Sequence, residues 1–300
     1  MTTYQTSAAF RRALEDRLLT RSNRTAVSLI RLRKLVAFDR FLARMVQSQP
    51  GVWMLKGGLA FQMRIGDRAR TTKDIDILLT IPTAQVQRAL NSAASLDLGD
   101  WFGFTVRPAT SALPAPNEGG TRFFVTSRLD SRIFETFHVD VGVGDPVIEP
   151  AENFTTPPLL TFADIDPIVI PCYPLAQHLA EKIHAYVRPR ATGESTRVKD
   201  LIDILLAAEL MQVNGSALLS AIRATFAVQA DREPPSSFPD PPKGWAVTFR
   251  RMAEEVGLSH TNLVDGVAAA RRFLEPALNG VAIGTWSPIE QTWLPINQAP

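Results

Sequence analysis

The chain has 300 residues, of which 45% are hydrophobic and 21% are charged. This composition is typical of a soluble globular protein with a sizeable core, and the length allows one large domain or two ordinary ones. The formal net charge of +2 is too small to identify a partner. A single cysteine, Cys172, excludes an internal disulfide. Since the sequence has neither a signal-peptide pattern nor an apolar stretch of membrane-spanning length, we expect a cytoplasmic protein.

The first 50 residues are strongly basic. They contain ten Lys and Arg residues against three acidic ones, a net charge of +7 that leaves −5 for the other 250 residues. Residues 7–48 have the apolar spacing of helices, with a break expected near Ser22 or Asn23. The basic region favours a polyanionic partner, although a solvated helix surface explains it equally well. The candidate RNA-binding residues are Arg31, Arg33, Lys34 and Arg40.

An α/β pattern follows the basic region. An apolar strand at residues 52–55 leads into Gly57 and Gly58, and residues 59–65 fit a short helix. Glycine lets the backbone approach an anion, and a helix N-terminus offers free N–H groups, so this pair favours a phosphate cradle; a plain tight turn is the alternative. The other predicted elements before residue 172 are strands at 74–79, 102–107, 121–129, 133–143 and 168–171, and a helix at 83–95.

Three aspartates in the alternating segments form the candidate metal site. Asp74 and Asp76 are two residues apart in a strand, so their side chains point to one face. Carboxylates side by side repel each other unless a cation lies between them, and such oxygen ligands suit Mg²⁺. Asp140 would be a third carboxylate if its strand is a neighbour, and His138 on the same face is expected to be a packed or surface histidine. A solvated strand face is the alternative interpretation.

The chain becomes helical from Pro174 onward, so we predict an α/β domain with N-terminal helices at residues 1–165 and a helical domain at residues 166–300. Lys182 lies at the edge of the apolar stripe of its helix, where a lysine needs an anion. A triphosphate and a salt bridge to Asp200 or Asp203 explain it equally well. The tail from Gly280 is expected to be irregular.

Several segments together resemble one protein family. A strand followed by Gly-Gly, an acidic-x-acidic strand and a third acidic strand resemble the polymerase-β-like nucleotidyltransferases. The segments MLKGGLAFQMRIG, RTTKDIDILL, HVDVGVGD, AEKIHAYVR and KDLIDILL resemble the AbiEii/AbiGii toxins, including the MenT group, of bacterial toxin–antitoxin and phage-abortive-infection systems. This resemblance covers roughly residues 50–210 and implies a polymerase-β-like nucleotidyltransferase core.

The resemblance also implies roles for individual residues. Its motifs fall on Gly57 and Gly58, then on Arg70, Thr72, Lys73, Asp74 and Asp76, then on Lys182 and Arg188, and last on Asp203 beside Asp200. The expected catalytic residues are Asp74, Asp76, Lys182 and Asp203. The expected nucleotide-binding residues are Gly57, Gly58, Thr72, Lys73, Lys182 and Arg188. The expected metal ligands are Asp74, Asp76 and Asp140.

From these observations we expect a nucleotidyltransferase toxin that uses Mg²⁺ or Mn²⁺ and a nucleoside triphosphate. Its expected acceptor is an RNA 3′ end, that of tRNA, whose modification would block translation. A cognate antitoxin is an expected partner, and Thr72 an expected regulatory phosphorylation site. The alternatives are a protein-modifying nucleotidyltransferase and a nucleotide- or RNA-binding module without catalysis. A kinase is disfavoured, because the chain has neither a Gly-x-Gly-x-x-Gly loop nor a Walker-type Gly-Lys-Ser/Thr.

Overall fold

A computed structural model describes residues 3–25, 27–109, 120–188, 197–229, 233–281 and 284–295. The chain divides into two compact units. The first unit comprises Met1–Arg64, Thr71–Gly144 and Ala151–Cys172. The second comprises Ile65–Arg70, Asp145–Pro150 and Tyr173–Pro300. The first unit contains the larger sheet and the second contains most of the helices.

A mixed seven-stranded sheet forms the centre of the first unit. Its strands are β1 (Trp53–Lys56), β2 (Ile75–Leu79), β3 (Phe102–Pro108), β4 (Thr121–Leu129), β5 (Arg132–Val143), β6 (Glu152–Thr155) and β7 (Val169–Cys172). They lie in the order β3-β4-β5-β2-β1-β7-β6. The β2–β5 and β1–β7 pairs are parallel and the other pairs are antiparallel. The sheet therefore continues past residue 165, the expected domain boundary, because β7 pairs with both β1 and β6.

Four helices accompany this sheet among the described residues: α1 (Ser7–Arg24), α2 (Leu29–Ser48), α3 (Gly57–Ile65) and α4 (Thr83–Ser95). The break between α1 and α2 has local causes. α1 continues past the expected break at Ser22 or Asn23 to Arg24 and ends because Thr25 is extended, and Ser28 starts α2 by accepting a hydrogen bond from the Arg31 N–H. On α2, Phe38 and Phe41 pack edge-on against Phe137 of β5, which fixes this helix to the sheet.

The second unit is mainly helical, as predicted. Its helices are α5 (Leu175–Val187), α6 (Val198–Leu210), α7 (Gly215–Gln229), α8 (Ala246–Val256) and α9 (Leu263–Leu278). The tail from Gly280 was expected to be irregular, and for its described residues 284–295 this is wrong. Strands β9 (Thr285–Ser287) and β10 (Thr292–Leu294) form an antiparallel sheet with the short β8 (Val213–Asn214). Two hydrogen bonds hold β9 and β10 against the helices: Trp286 donates to the Ala208 carbonyl and Trp293 donates to the Phe273 carbonyl.

The structure agrees with the predicted fold class, a mixed α/β core with N-terminal helices followed by a helical part. Among the described residues, no helix combines the length and the apolar character that crossing a membrane requires.

Candidate functional site

Four charged residues form one row across four adjacent strands of the first unit. Lys56 of β1 is in register with Asp76 of β2, and Asp76 is in register with Asp140 of β5. Asp140 is in register with Arg122 of β4. Residues directly opposite each other on neighbouring strands have their side chains on the same face. The row thus presents two carboxylates side by side, with a cationic side chain at each end.

Asp74 and Asp76 lie where β2 begins. Ile75 and Ile77 are fully buried in the core, whereas the two aspartates between and before them are only half-buried. The alternation predicted from the sequence therefore holds, except that Asp74 precedes the strand by one residue. The Nδ1 atom of His138 lies 3.3 Å from Oδ1 of Asp74. His138 packs edge-on against Phe124, as the expectation of a packed or surface histidine allows, and it also contacts a candidate metal ligand.

Asp140 is held by an arginine that the sequence analysis did not identify. Nε and Nη2 of Arg122 donate to the two carboxylate oxygens of Asp140, each over 2.6 Å. These hydrogen bonds raise the pKa of Arg122, as does the charge of the nearby aspartates. To bind a metal ion, Asp140 would have to share or release an oxygen. Its role as a third metal ligand stays a prediction.

The donor set fits a hard divalent cation that is bound mainly through its substrate. Among the described residues, no group of three or more His, Cys, Asp or Glu side chains is close enough together to hold a metal ion. Asp74 and Asp76 nevertheless present carboxylate oxygens on one face. Mg²⁺ typically uses one or two protein carboxylates and takes its other ligands from water and from substrate phosphates. These two aspartates are therefore the residues that could hold it.

Gly57 is required by the geometry of the carboxylate site. Its φ is +63°, in the region that favours glycine, and a Cβ there would overlap Oδ2 of Asp76. Gly58 follows as a buried residue in the first turn of α3. The N-terminus of α3 and the Asp76 carboxylate are thus directly adjacent. This arrangement could accept a cation and a phosphate together, since helix N-terminal N–H groups attract anions.

The loop before β2 differs from the expectation at Thr72. Its side chain is buried, and its hydroxyl donates to the main-chain carbonyl of Asp74 over 3.2 Å. The hydroxyl thus holds the loop instead of facing incoming phosphates, and a kinase would reach it only after the loop opens. Lys73 beside it is exposed. The nucleotide-binding roles of both residues stay predictions.

A buried network of opposite charges lies in the second unit. Nζ of Lys182 on α5 donates to Asp203 over 2.6 Å and to Asp200 over 3.3 Å, both on α6. Arg70 forms a second pair with Asp203, and Arg197 lies 3.5 Å from Asp200. The salt-bridge interpretation of Lys182 is thus present in the structure, whereas its phosphate-binding role stays a prediction. The sequence analysis did not identify Arg70 as a partner of Asp203.

The network favours the ionised forms of Lys182 and Asp203 despite their burial. Burial alone would lower the pKa of Lys182, but Asp203 and Asp200 outweigh it and the pKa is raised. Burial alone would raise the pKa of Asp203, but Lys182 and Arg70 outweigh it and the pKa is lowered. The catalytic role expected for Asp203 stays a prediction. Arg188, the residue after α5, is half-buried, and its nucleotide-binding role stays a prediction.

Most of the predicted RNA-binding residues are engaged inside the first unit. Arg40 is 4% exposed and pairs with Asp39 and Asp100, which leaves it no surface for RNA, so this prediction is wrong. Arg33 pairs with Glu15 and donates to the Phe134 carbonyl. Lys34 donates to the Thr136 carbonyl and to Glu135, and Arg31 is half-buried. The basic side chains of α2 hold the unit together more than they present positive charge.

Exposed positive charge lies on α1 instead. Its exposed arginines are Arg12, Arg17, Arg21 and Arg24. Arg17 lies over the ring of Phe162, at 4.2 Å from its centroid. Within the described parts of the chain, Arg12, Arg21 and Arg24 make no ion pair. Because Arg21 and Arg24 are in the last turn of α1, they also stabilise the helix dipole.

Comparisons with known proteins identify the family. The family model of the nucleotidyl transferase AbiEii toxin of type IV TA systems matches residues 40–274. Comparison with the curated proteins finds no match. Among solved structures, the chain is similar to MenT4, a nucleotidyltransferase toxin from Mycobacterium tuberculosis H37Rv, with 18% identity and a TM-score of 0.51 over 93% of this chain and 99% of that one. JHP933 from Helicobacter pylori aligns with 11% identity and a TM-score of 0.46 over 82% of this chain and 94% of that one.

The predicted resemblance and the predicted enzyme class are thereby confirmed. The family match extends over both units, from α2 to α9, and so covers the carboxylate row as well as the Lys182 network. The likeness to MenT4 shows the same fold over nearly the whole of both chains. The chain belongs to the AbiEii family of nucleotidyltransferase toxins, and it is a nucleotidyltransferase.

Proposed function

We propose that this toxin transfers a nucleotide from a nucleoside triphosphate to an RNA 3′ end, that of tRNA, with Mg²⁺ or Mn²⁺ bound by Asp74 and Asp76. The observation that carries the proposal is the Asp76 carboxylate at the N-terminus of α3, against Gly57 and in register with Asp140. A carboxylate pair and a helix N-terminus at one place suit a metal-bound triphosphate.

The chain's own residues orient the reactants in this proposal. Asp74 and Asp76 hold the cation, which would polarise the α-phosphate and stabilise the leaving pyrophosphate. Gly57 and Gly58 let the backbone N–H groups approach the phosphates closely. His138 orients Asp74 through the contact between Nδ1 and Oδ1. Each of these contributions is made within the first unit.

An RNA acceptor is supported by charge. The exposed arginines of α1 belong to the same unit as the carboxylates, and arginine binds phosphate through its planar fork of donors. A tRNA whose 3′ hydroxyl carries an added nucleotide cannot accept an amino acid there, so translation would stop. We place this reaction in the cytoplasm, where tRNA and nucleoside triphosphates occur. Membership in a toxin–antitoxin family makes a cognate antitoxin the expected partner.

The test is a labelling experiment with the purified protein. Each of the four α-³²P-labelled nucleoside triphosphates is incubated with Mg²⁺ and total cellular RNA, with parallel samples in EDTA. We expect label on tRNA with one preferred triphosphate, no label in EDTA, and no label with Asp76→Asn. Nuclease digestion of the labelled tRNA should place the label at the 3′ end.

The alternative functions are distinguished by the same experiment. Label on protein instead of RNA would establish a protein-modifying nucleotidyltransferase and reject the RNA acceptor. Triphosphate binding without any transferred label would favour a binding module. The Asp76→Asn protein should remain folded, because Asp76 is only half-buried, so a loss of label reports on the carboxylate site.

A further inference from the structure

Arg122 of β4 lies at one end of the row of charged residues, and its guanidinium has N–H donors that Asp140 does not use. Its Nε and Nη2 atoms each donate one N–H to Asp140. A guanidinium carries five N–H donors, so three remain, two of them on Nη1. Among the described residues, Asp140 is the only hydrogen-bond acceptor of this guanidinium. The side chain is 35% exposed, so the remaining donors can reach solvent or a ligand.

The chemistry of these donors selects the ligand. A guanidinium presents its donors in a fixed plane that matches the oxygens of a phosphate group. Asp140 holds the plane in one orientation, so little side-chain entropy remains to be lost when an anion binds. Arg122 on β4 and Asp76 on β2 both face Asp140 on β5, which lies between them. The cation proposed at Asp74 and Asp76 would bring a triphosphate to this same face of the sheet.

The charges point in the same direction. Without Arg122, Asp140 would be a third carboxylate beside Asp76, and it would repel the phosphates that the cation attracts. Both oxygens of Asp140 are already engaged by Arg122. The Arg122–Asp140 pair therefore makes the sheet surface beside Asp74 and Asp76 a donor of hydrogen bonds, where Asp140 alone would make it acidic.

We propose that Arg122 binds a phosphate group of the nucleoside triphosphate, and that Asp140 is its positioning residue. This inference rests on the proposed use of a nucleoside triphosphate at this face. It assigns Arg122 a contact with substrate, and it assigns Asp140 the task of aiming the guanidinium in place of the expected task of binding metal.

The experiment measures binding without turnover. The α,β-methylene analogues of the four nucleoside triphosphates are titrated with Mg²⁺ into wild type, Arg122→Gln and Arg122→Lys by calorimetry. Loss of one charged hydrogen-bonding partner should weaken binding of the preferred analogue about tenfold or more. Arg122→Lys should recover only part of this, because an ammonium does not reproduce the fork. The matched control is Arg128→Gln, an exposed arginine of the same strand, which should bind as wild type does.

A second measurement excludes an indirect effect. Binding of Mn²⁺ alone, followed by electron paramagnetic resonance, should be unchanged or tighter in Arg122→Gln and in Arg122→Gln/Asp140→Asn. If Arg122 merely maintained the fold, metal binding and melting temperature would fall together with nucleotide binding, and the inference would be overturned. Unchanged analogue binding, or a loss confined to RNA binding, would overturn it as well. If wild type binds none of the four analogues, the proposed function itself fails. That outcome differs from equal binding by wild type and Arg122→Gln, which overturns only the role of Arg122.

Discussion

At the scale of single residues, Gly57 is the position where sequence and site geometry are most tightly linked. Two independent constraints exclude a side chain there. The backbone has a positive φ of +63°, and the space that a Cβ would need is taken by the Asp76 carboxylate. The positive φ concerns the turn between β1 and α3, and the occupied space concerns the candidate metal ligand itself. Comparing substitutions at two glycines can therefore distinguish the effect of backbone strain from the effect on Asp76.

Gly57→Ala should lose most nucleotidyl transfer, because Asp76 must move out of register with Asp140. The backbone strain alone should lower the free energy of unfolding by roughly 1–2 kcal/mol. The matched control is Gly51→Ala, since Gly51 has a φ of +75° and open space where its Cβ would be. In urea denaturation Gly51→Ala should show the backbone strain alone and Gly57→Ala at least as much, and only Gly57→Ala should lose activity. Equal activity in the two variants would contradict the close approach to Asp76.

The sequence predicts the acidic residues of the site better than the basic ones. Alternation identified Asp74, Asp76 and Asp140, since each lies beside buried apolar residues of a strand. Arg122 was missed because its significance depends on which residue it faces across the hairpin. That is a property of the register between β4 and β5, and a single residue type does not reveal it.

At the scale of elements, a β-bulge decides the composition of the site. The register of β4 against β5 shifts between Ser127 and Arg128, where Phe134 is the extra residue of β5. Counting back from the hairpin turn without this shift would place Arg122 opposite Val139, a core residue. Since a shift of one residue reverses the face of every side chain, the bulge is what brings Arg122 to Asp140. The sequence indicates the bulge only weakly: Phe134 and Phe137 are three residues apart, whereas apolar residues on one face of a regular strand are an even number of residues apart.

The pairing of α5 with α6 depends on a buried charge network, which leads to a stability prediction. Lys182→Met should lower the free energy of unfolding by about 3–5 kcal/mol, because the carboxylates of Asp200 and Asp203 lose a buried partner. Urea denaturation measures this change. Arg223→Met, an exposed cation on α7 in the same unit, is the control and should change stability by less than about 0.5 kcal/mol.

The same variant tests whether Lys182 also binds phosphate. If its role is the ion network alone, the Lys182→Met protein that remains folded at low temperature should bind a triphosphate analogue as wild type does. A large loss of analogue affinity in fully folded protein would support the phosphate role that the sequence suggested. Wild-type stability in Lys182→Met would contradict the buried network.

The network also predicts how stability depends on pH. The pKa of Asp203 is lowered below its ordinary value of 3.8, so its contribution is complete above that value and is lost as pH falls toward the folded-state pKa. The pKa of Lys182 is raised above 10.5, so its contribution is complete below that value and is lost as pH rises through the folded-state pKa. Asp203→Asn should therefore lose less stability than wild type between about pH 5 and pH 2. Urea midpoints across that range measure it, and equal slopes would contradict it.

At the scale of the whole molecule, composition and periodicity predicted an α/β part followed by a helical part, but they did not predict the boundary between the two. The strands with clear alternation and the longer helices were found. The short β6, β9 and β10 were missed, because strands of three or four residues leave almost no periodic signal. The division of the chain was harder to predict still. Ile65–Arg70 belongs to the second unit although both of its flanking segments belong to the first, and Arg70 pairs there with Asp203.

The accessible positive charge of the basic N-terminal region lies on α1, whereas the sequence predicted it on α2. Arg33 and Arg40 are engaged in internal pairs, whereas Arg21 and Arg24 are exposed. If RNA phosphates contact both exposed arginines, Arg21→Gln/Arg24→Gln should reduce the slope of log affinity for tRNA against log salt by about 2, roughly 1 for each lost contact. Filter binding over a series of KCl concentrations measures the slope. Arg88→Glu is the matched control, since it makes the same net charge change at an exposed arginine of another helix, α4. Equal slopes for the two variants would show that only overall charge matters, and would remove α1 as the RNA-binding surface while leaving the carboxylate site unaffected.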